Sequence, residues 1–353
     1  MTKEDIVRIG FVGVGNMGQC AHLKNYAIIP ECQVVALAEI RPQLAKWVAA
    51  KYNVPKVYSS HEEMLKKEKL DGIVASQPFT RHGTLVPELL KAAIPVFIEK
   101  PLAGSIQMGE KILKALEASG TWLMVGYHKR SDPAVMYAKD AIEQLKKSGE
   151  IGKVRYIRIT MPAGDWIAEG FSDLVRTDEK LPSVEWDPAP RDMSKENYEL
   201  YLSFVNYYIH QINLLRYFLG EPYRVSYADR TGTVLAAESN SGIPSVIEMN
   251  PYSTTVAWNE EVFVAFEKGF VKISLTAPLA ANRSGSVEIF KDPGNNKTPV
   301  TIRPDLPWIH AMRQQAINFI KAIKGERKPP CEAHEAMEDL IVAREYIRIW
   351  KNV

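Results

Sequence analysis

Two hydrophobic periods alternate along the first third of the chain. Short, largely β-branched apolar runs at 6–12, 33–38, 72–75, 96–98 and 122–125 read as strands buried on both faces. Between them apolar residues recur every three or four positions, which predicts helices over 16–29, 41–52, 61–67, 80–93 and 104–119. That alternation predicts an α/β fold, with a doubly wound parallel sheet over residues 1–126. The pattern then changes. A long amphipathic helix runs from 132 to about 148, and Gly149 stops it. Strand patterns follow at 154–161, 224–232, 245–252, 261–266, 271–275 and 286–290, joined by turn residues such as Lys268-Gly269. They predict a largely antiparallel, open-faced sheet in a second, α+β domain over 127–353. Helices are expected at 195–219, 308–323 and 334–351, and the last two can fold back on the first domain. The stretch from 162 to 195 is rich in Pro, Asp and Gly and holds Trp166 and Trp186. A loop that long is usually functional or mobile.

The turn after the first strand carries chemistry. Gly13, Gly15 and Gly18 fall on G-x-G-x-x-G, with Asn16 and Met17 opening the helix. Gly13 permits the tight turn, Gly15 lets backbone approach a pyrophosphate, and Gly18 lets helix and strand pack closely. The free N–H groups of the helix start face the anion. The next strand ends in Glu39, about 20 residues on, where an acid holds the adenosine ribose. These positions predict a bound dinucleotide. Glu39 favours NAD over NADP, because its carboxylate repels a 2′-phosphate; Arg41 is the counterweight, able to meet that phosphate or lie on the adenine. In such sheets ligands bind beyond the carboxyl ends of the strands. Ser76-Gln77-Pro78, Glu99-Lys100-Pro101 and Gly126-Tyr127-His128 should therefore converge with Glu39 on one edge.

Composition narrows the partners. The 353 residues carry a formal net charge of only +2 and no long block of like charge, which argues against nucleic acid. No secretory apolar core follows the N-terminus, and no run reaches the roughly 18 apolar residues that span a bilayer. Cys20, Cys32 and Cys331 are an odd count without metal-ligand spacing, which suits free thiols in a reducing cytoplasm and no bound metal. The run 261–266 is apolar on both strand phases: Val262, Val264 and Phe266 on one, Phe263 and Ala265 on the other. Neither face suits water, so a homodimer or homotetramer is expected.

Hydride transfer from an alcohol needs a group to take the hydroxyl proton, and imidazole suits that near neutral pH. His210 shares a helical stripe with Ser203, Asn206 and Asn213 on an otherwise apolar helix. Such a stripe serves either an internal hydrogen-bond network or an active site. Lys100 ends a buried strand before a proline, where an ammonium can steady a developing alkoxide. Glu99 either meets the nicotinamide ribose or anchors its loop. Tyr127 and His128 end the last strand of the first domain, and His128 is a rival proton shuttle. Trp166, beside Asp165, suits the face of a sugar ring or the core, and Trp308 suits packing. His82 is expected to face the cofactor and His22 to be structural.

The fingerprint, the run Ser76-Gln77-Pro78-Phe79-Thr80-Arg81-His82 and above all Glu99-Lys100-Pro101-Leu102-Ala103 resemble the Gfo/Idh/MocA oxidoreductases. That family includes glucose–fructose oxidoreductase and inositol dehydrogenases. Gly149-Glu150-Ile151-Gly152-Lys153-Val154, the helix carrying His210 and Leu219-Gly220-Glu221-Pro222 are also similar. The resemblance implies a Rossmann domain followed by an α/β domain whose open sheet face forms oligomers. It implies oxidation or reduction of a sugar, glycoside or cyclitol carbon by a nicotinamide cofactor, with Lys100 and His210 at that carbon and Asn206 beside them. Many members carry aspartates where this chain has Asn206 and Asn213. An NAD-dependent glycosidase or lyase working through transient oxidation, or a non-catalytic dinucleotide sensor, are the alternatives the resemblance leaves open.

Overall fold

The computed structural model describes residues 6–352, which form two compact units. The first takes in the chain up to Tyr127, then Glu169–Leu202 and Met312–Leu340. The second holds His128–Ala168, Ser203–Ala311 and the chain from Ile341 onward. Residues 169–202 and 312–340 thus join the first unit although they follow the strands of the second or run among them in sequence.

In the first unit six parallel strands are β1 (Val7–Val12), β2 (Cys32–Ala38), β3 (Lys56–Tyr58), β4 (Gly72–Ala75), β5 (Val96–Glu99) and β6 (Leu123–Gly126). Their spatial order is β3-β2-β1-β4-β5-β6. The chain runs outward from β1 to β3, then returns to add β4 on β1's other side. That reversal opens the crevice at the carboxyl ends of β1 and β4. After β1 a π-helical segment, Gly18–Leu23, runs into α1 (Lys24–Tyr26). The other helices between strands are α2 (Pro42–Lys51), α3 (His61–Lys67), α4 (His82–Leu90) and α5 (Ile106–Ser119). β3 escapes the sequence pattern because it is three residues long and sits at the sheet edge, with Lys56 and Val57 exposed. Phe319, fully buried, is an aromatic hub: its ring lies 5.8 Å from Phe97, 5.5 Å from Trp122 and 6.4 Å from Tyr26. Burying one such ring stabilises by roughly 1.5–3 kcal/mol.

The second unit is a mixed sheet of eight strands in the order β14-β13-β12-β11-β7-β10-β9-β8. These are β7 (Val154–Ala163), β8 (Tyr223–Ala228), β9 (Val234–Ser239), β10 (Pro244–Ser253), β11 (Glu260–Phe266), β12 (Gly269–Leu275), β13 (Ser286–Lys291) and β14 (Val300–Ile302). Only β7 and β10 pair in parallel. α6 (Pro133–Ser148) packs on β12 and β13. One face is apolar and covered, with Ile157, Ile159, Val262, Val264, Val271 and Ile273 fully buried. The opposite phase carries Phe263, Phe270 and Phe290, half-buried, with successive ring centroids 5.2 and 5.6 Å apart.

Two expectations are corrected here. The helix 195–219 is two helices, α7 (Lys195–Tyr207) and α8 (Ile209–Leu219), broken at Tyr208, whose ψ of −2° departs from helical values. Its ring packs against Tyr207 at 5.0 Å and Phe204 at 6.0 Å. The break takes the polar stripe apart: Ser203 and Asn206 are exposed, whereas His210 and Asn213 are buried. Trp308 precedes α9 (Ala311–Ile323) and is 87% exposed, so it is not a packing residue of that helix. α10 (Ala333–Lys351) closes the chain, and no helix among the described residues is long and apolar enough to cross a membrane.

Candidate active site

The glycine turn has room only for what its spacing implies. Gly13 has φ +88°, and a Cβ there would strike the Gln77 side chain and the Ser76 carbonyl. A Cβ on Gly18 would lie 2.6 Å from the Gly13 carbonyl oxygen. At Gly15 the space is open; the nearest atom is Nη2 of Arg41 at 3.8 Å. A side chain at 15 would fill the volume through which a pyrophosphate reaches the backbone, so the cradle fits a dinucleotide. Asn16, exposed, and Met17, half-buried, open the helical turn beside it. A cavity of about 430 Å³ includes Gly13, Gly15, Glu39, Arg41, Ser76, Gln77 and Pro78 in its wall.

Glu39 is 5% exposed, and both its carboxylate oxygens are engaged. Oε2 accepts from the Val14 amide at 3.0 Å and from Nη2 of Arg41 at 3.1 Å. Oε1 accepts from Nε of Arg41 at 2.8 Å and from its amide at 3.2 Å. The acid and its counterweight are thus one bidentate pair.

The loop after β5 is fastened from below. Oε1 of Glu99 meets Nε2 of His22 at 2.6 Å, and Oε2 accepts from the Lys100 amide at 3.2 Å. Burial alone would raise the Glu99 carboxyl, but the hydrogen bond and charge of His22, with Lys100 nearby, outweigh it and hold the carboxyl below its usual value. Beyond the cis Lys100–Pro101 bond, Nδ1 of His82 lies 3.2 Å from both the Pro101 and Leu102 carbonyls. Carbonyls only accept, so Nδ1 carries the proton. Burial lowers His82 from its ordinary pKa, opposed by its hydrogen bonds to the loop carbonyls. His82 is therefore sealed beneath the loop, not facing the cofactor cavity as expected. Lys100 is half-buried at the strand end, and Tyr127 closes β6 at 2% exposure.

The second unit brings two histidines together. The rings of His128 and His210 meet edge to face with centroids 4.6 Å apart. Their chain neighbours share one carboxylate: Glu260, 1% exposed, pairs with Nζ of Lys129 and accepts from Nε2 of Gln211 at 2.6 Å and from Nε1 of Trp258 at 3.2 Å. Burial pushes the Lys129 ammonium down, opposed by Glu260. Arg130 donates from Nε to Oδ1 of Asn213 at 2.5 Å and lies over the Tyr217 ring. Asp132, pushed up to about 6 by burial, accepts from the Ala134 and Gly285 amides at 2.8 and 3.1 Å. Trp166 is half-buried, its carbonyl accepting from the Leu279 amide at 3.2 Å, while Asn206 stays exposed on α7. Sequence reasoning missed the Glu260 cluster. Positions 129, 211, 258 and 260 have no shared local spacing, and the one signal was an acid opening a strand apolar on both phases.

Residues 7–127 match the model of the oxidoreductase family GFO_IDH_MocA, NAD-binding Rossmann fold. The uncharacterised oxidoreductase YrbE of Bacillus subtilis is 22% identical, over 98% of this chain and 94% of its own. The myo-inositol 2-dehydrogenase of Thermotoga maritima is 25% identical over 66% of this chain and 60% of its own. The solved structure of an oxidoreductase from Desulfitobacterium hafniense shares the fold, with a TM-score of 0.76 and 13% identity over 99% of this chain and 97% of that one. That match lies on the six-stranded unit just described, so residues 7–127 form an NAD-binding Rossmann domain of the kind found in the Gfo/Idh/MocA oxidoreductases.

Proposed function

We propose that the protein is an NAD-dependent oxidoreductase that moves a hydride between nicotinamide and a hydroxyl or keto carbon of a sugar, glycoside or cyclitol. The observation that carries this reading is the loop after β5, where Glu99 on His22 and the Pro101 and Leu102 carbonyls on His82 fix Lys100 from both sides. The cofactor supplies the hydride acceptor. Gly13, Gly15 and Gly18, with Asn16 and Met17, would hold its pyrophosphate, Glu39 its adenosine ribose, and Ser76, Gln77 and Pro78 the wall toward the nicotinamide. Lys100 would donate to the substrate oxygen and steady negative charge on it. His210 would take the hydroxyl proton, with His128 as the ring against it. Tyr127 and Trp166 are proposed to line the substrate. Asn206, exposed before the helix break, is proposed to line the substrate with them. The myo-inositol dehydrogenase among the relatives supports a polyol substrate. A panel of cyclitols, aldoses and glycosides assayed for NADH at 340 nm tests the reading. Free sugar released from glycosides without net NADH would replace it with redox-assisted glycoside cleavage.

NAD should give the higher kcat/KM. Glu39 can hydrogen-bond the ribose hydroxyls and repels a 2′-phosphate, but Arg41 holds it as a pair. Glu39→Ala should narrow the gap by freeing Arg41 for that phosphate, and Arg41→Ala should widen it. Steady-state kinetics with both cofactors decide; a higher value with NADP in the wild type reverses the assignment.

The protein is also proposed to self-associate through the sheet face carrying Phe263, Phe270 and Phe290. A row of half-buried aromatic rings along one sheet face is the kind of patch that a second copy buries. Light scattering should report a multiple of the 39.7 kDa chain, and a particle of single-chain mass at micromolar concentration would refute it.

A further inference from the structure

We infer that residues 173–192 form a strap that completes the adenosine end of the dinucleotide site and slows cofactor release. The inference rests on the dinucleotide site, not on the identity of the substrate. The strap lies about a hundred residues or more after the cavity's strands in sequence, yet it belongs to the same unit. No helix or strand shapes residues 174–190, so side chains fix its course.

Those side chains latch onto two helix starts that lack caps of their own. α2 begins at Pro42, and its N-cap Arg41 makes no side-chain cap bond. Glu179 of the strap supplies one, accepting from the Gln43 amide at 3.0 Å and the Leu44 amide at 2.8 Å. These are orphan donors of the first turn. α4 likewise has no side-chain cap from Arg81. Asp187 accepts there from the Gly83 amide and the Thr84 hydroxyl, each at 2.9 Å, and its own amide donates to the Thr80 carbonyl at 2.9 Å. Arg81 joins strap to cavity wall: Nε donates to the Glu185 carbonyl at 2.9 Å and Nη1 to Oε1 of Gln77 at 3.0 Å. The near end is tied by Gln19, which bonds both the amide and the carbonyl of Val175 at 2.9 and 3.1 Å.

Between the two latches Leu181 and Trp186 line the same cavity as Glu39 and Arg41. Both are large apolar side chains left about half exposed, at 53% and 50%. A purine has two flat faces to cover, and an indole and an isobutyl group beside a ribose-binding acid match that need. The strap thus gives the adenosine an apolar wall, and the dinucleotide leaves only when the Glu179 and Asp187 latches open.

The test uses the full chain and cofactor alone. NADH release is followed by stopped-flow displacement, and AMP serves as a probe carrying only the adenosine end. Glu179→Ala/Asp187→Ala should release NADH at least tenfold faster than wild type. Trp186→Ala should weaken both NADH and AMP about tenfold, and Trp186→Phe should restore most of that. Because lost caps also cost stability, Glu179→Gln/Asp187→Asn is measured beside the alanine pair; it keeps acceptor oxygens at both latches and should fall between. Release rates and AMP affinity within twofold of wild type in the latch and Trp186→Ala variants would overturn the strap, with cofactor binding itself left standing. A failed search for a sugar substrate bears on the catalytic reading alone, since no substrate enters this experiment.

Discussion

His210→Ala is expected to lower kcat by about 10²–10⁴, the range for a positioned proton-transfer group, while NADH still binds. The pyrophosphate cradle and Glu39 lie in the first unit, whereas residue 210 belongs to the second. Lys100→Ala should fall in the same range of about 10²–10⁴, because it removes the donor proposed for the developing alkoxide. The two losses should differ in character. A lost proton acceptor is partly replaced by added imidazole or by raised pH, whereas a lost ammonium is not. The ring contact between His128 and His210 adds a second expectation. Two imidazoles this close share an environment, so their substitutions should be non-additive in a double-mutant cycle. His210→Ala at near wild-type turnover on a good substrate would make the histidine structural, with His128 as the shuttle to test next.

What the sequence revealed was what local spacing encodes. The strand–glycine–helix turn, the acid ending β2 and the Glu-Lys-Pro loop each occupy a few consecutive residues, and each constrains backbone directly. Gly13 and Gly18 show this plainly, since a Cβ at either collides with backbone nearby. The losses are non-local. His82 has the sequence position of a cavity residue, but its helix turns it under Pro101 and Leu102. The stripe Ser203, Asn206, His210 and Asn213 needs an unbroken helix, and one residue with ψ near zero at Tyr208 removes it. The strap reads as polar loop because its caps bridge more than a hundred residues, from Glu179 to α2 and from Asp187 to α4. β3 and β14 are three-residue edge strands, too short for a period to register.

Glu260→Ala is expected to destabilise the second unit by about 3–5 kcal/mol, the cost of stranding a buried charge. One carboxylate serves the Lys129 ammonium, the Gln211 amide and the Trp258 indole, so its removal leaves two buried donors and one half-buried donor without that acceptor. At about 2–4 °C per kcal/mol for a domain of this size, the melting temperature should fall by about 6–20 °C. Lys129→Met should cost less. Glu260 then keeps Gln211 and Trp258 as donors, and methionine fills the volume of the lysine stem without a charge. Lys129→Met/Glu260→Gln removes both charges while keeping an acceptor for the Gln211 amide, and it should be more stable than Glu260→Ala by several kcal/mol. Urea unfolding of these three variants and of Glu260→Gln alone checks the order and closes the double-mutant cycle. If instead the Lys129→Met and Glu260→Gln effects simply add, the ion pair is not a coupled unit. The segments carrying His128 and His210 would then be held in place by apolar packing, not by Glu260 between their neighbours.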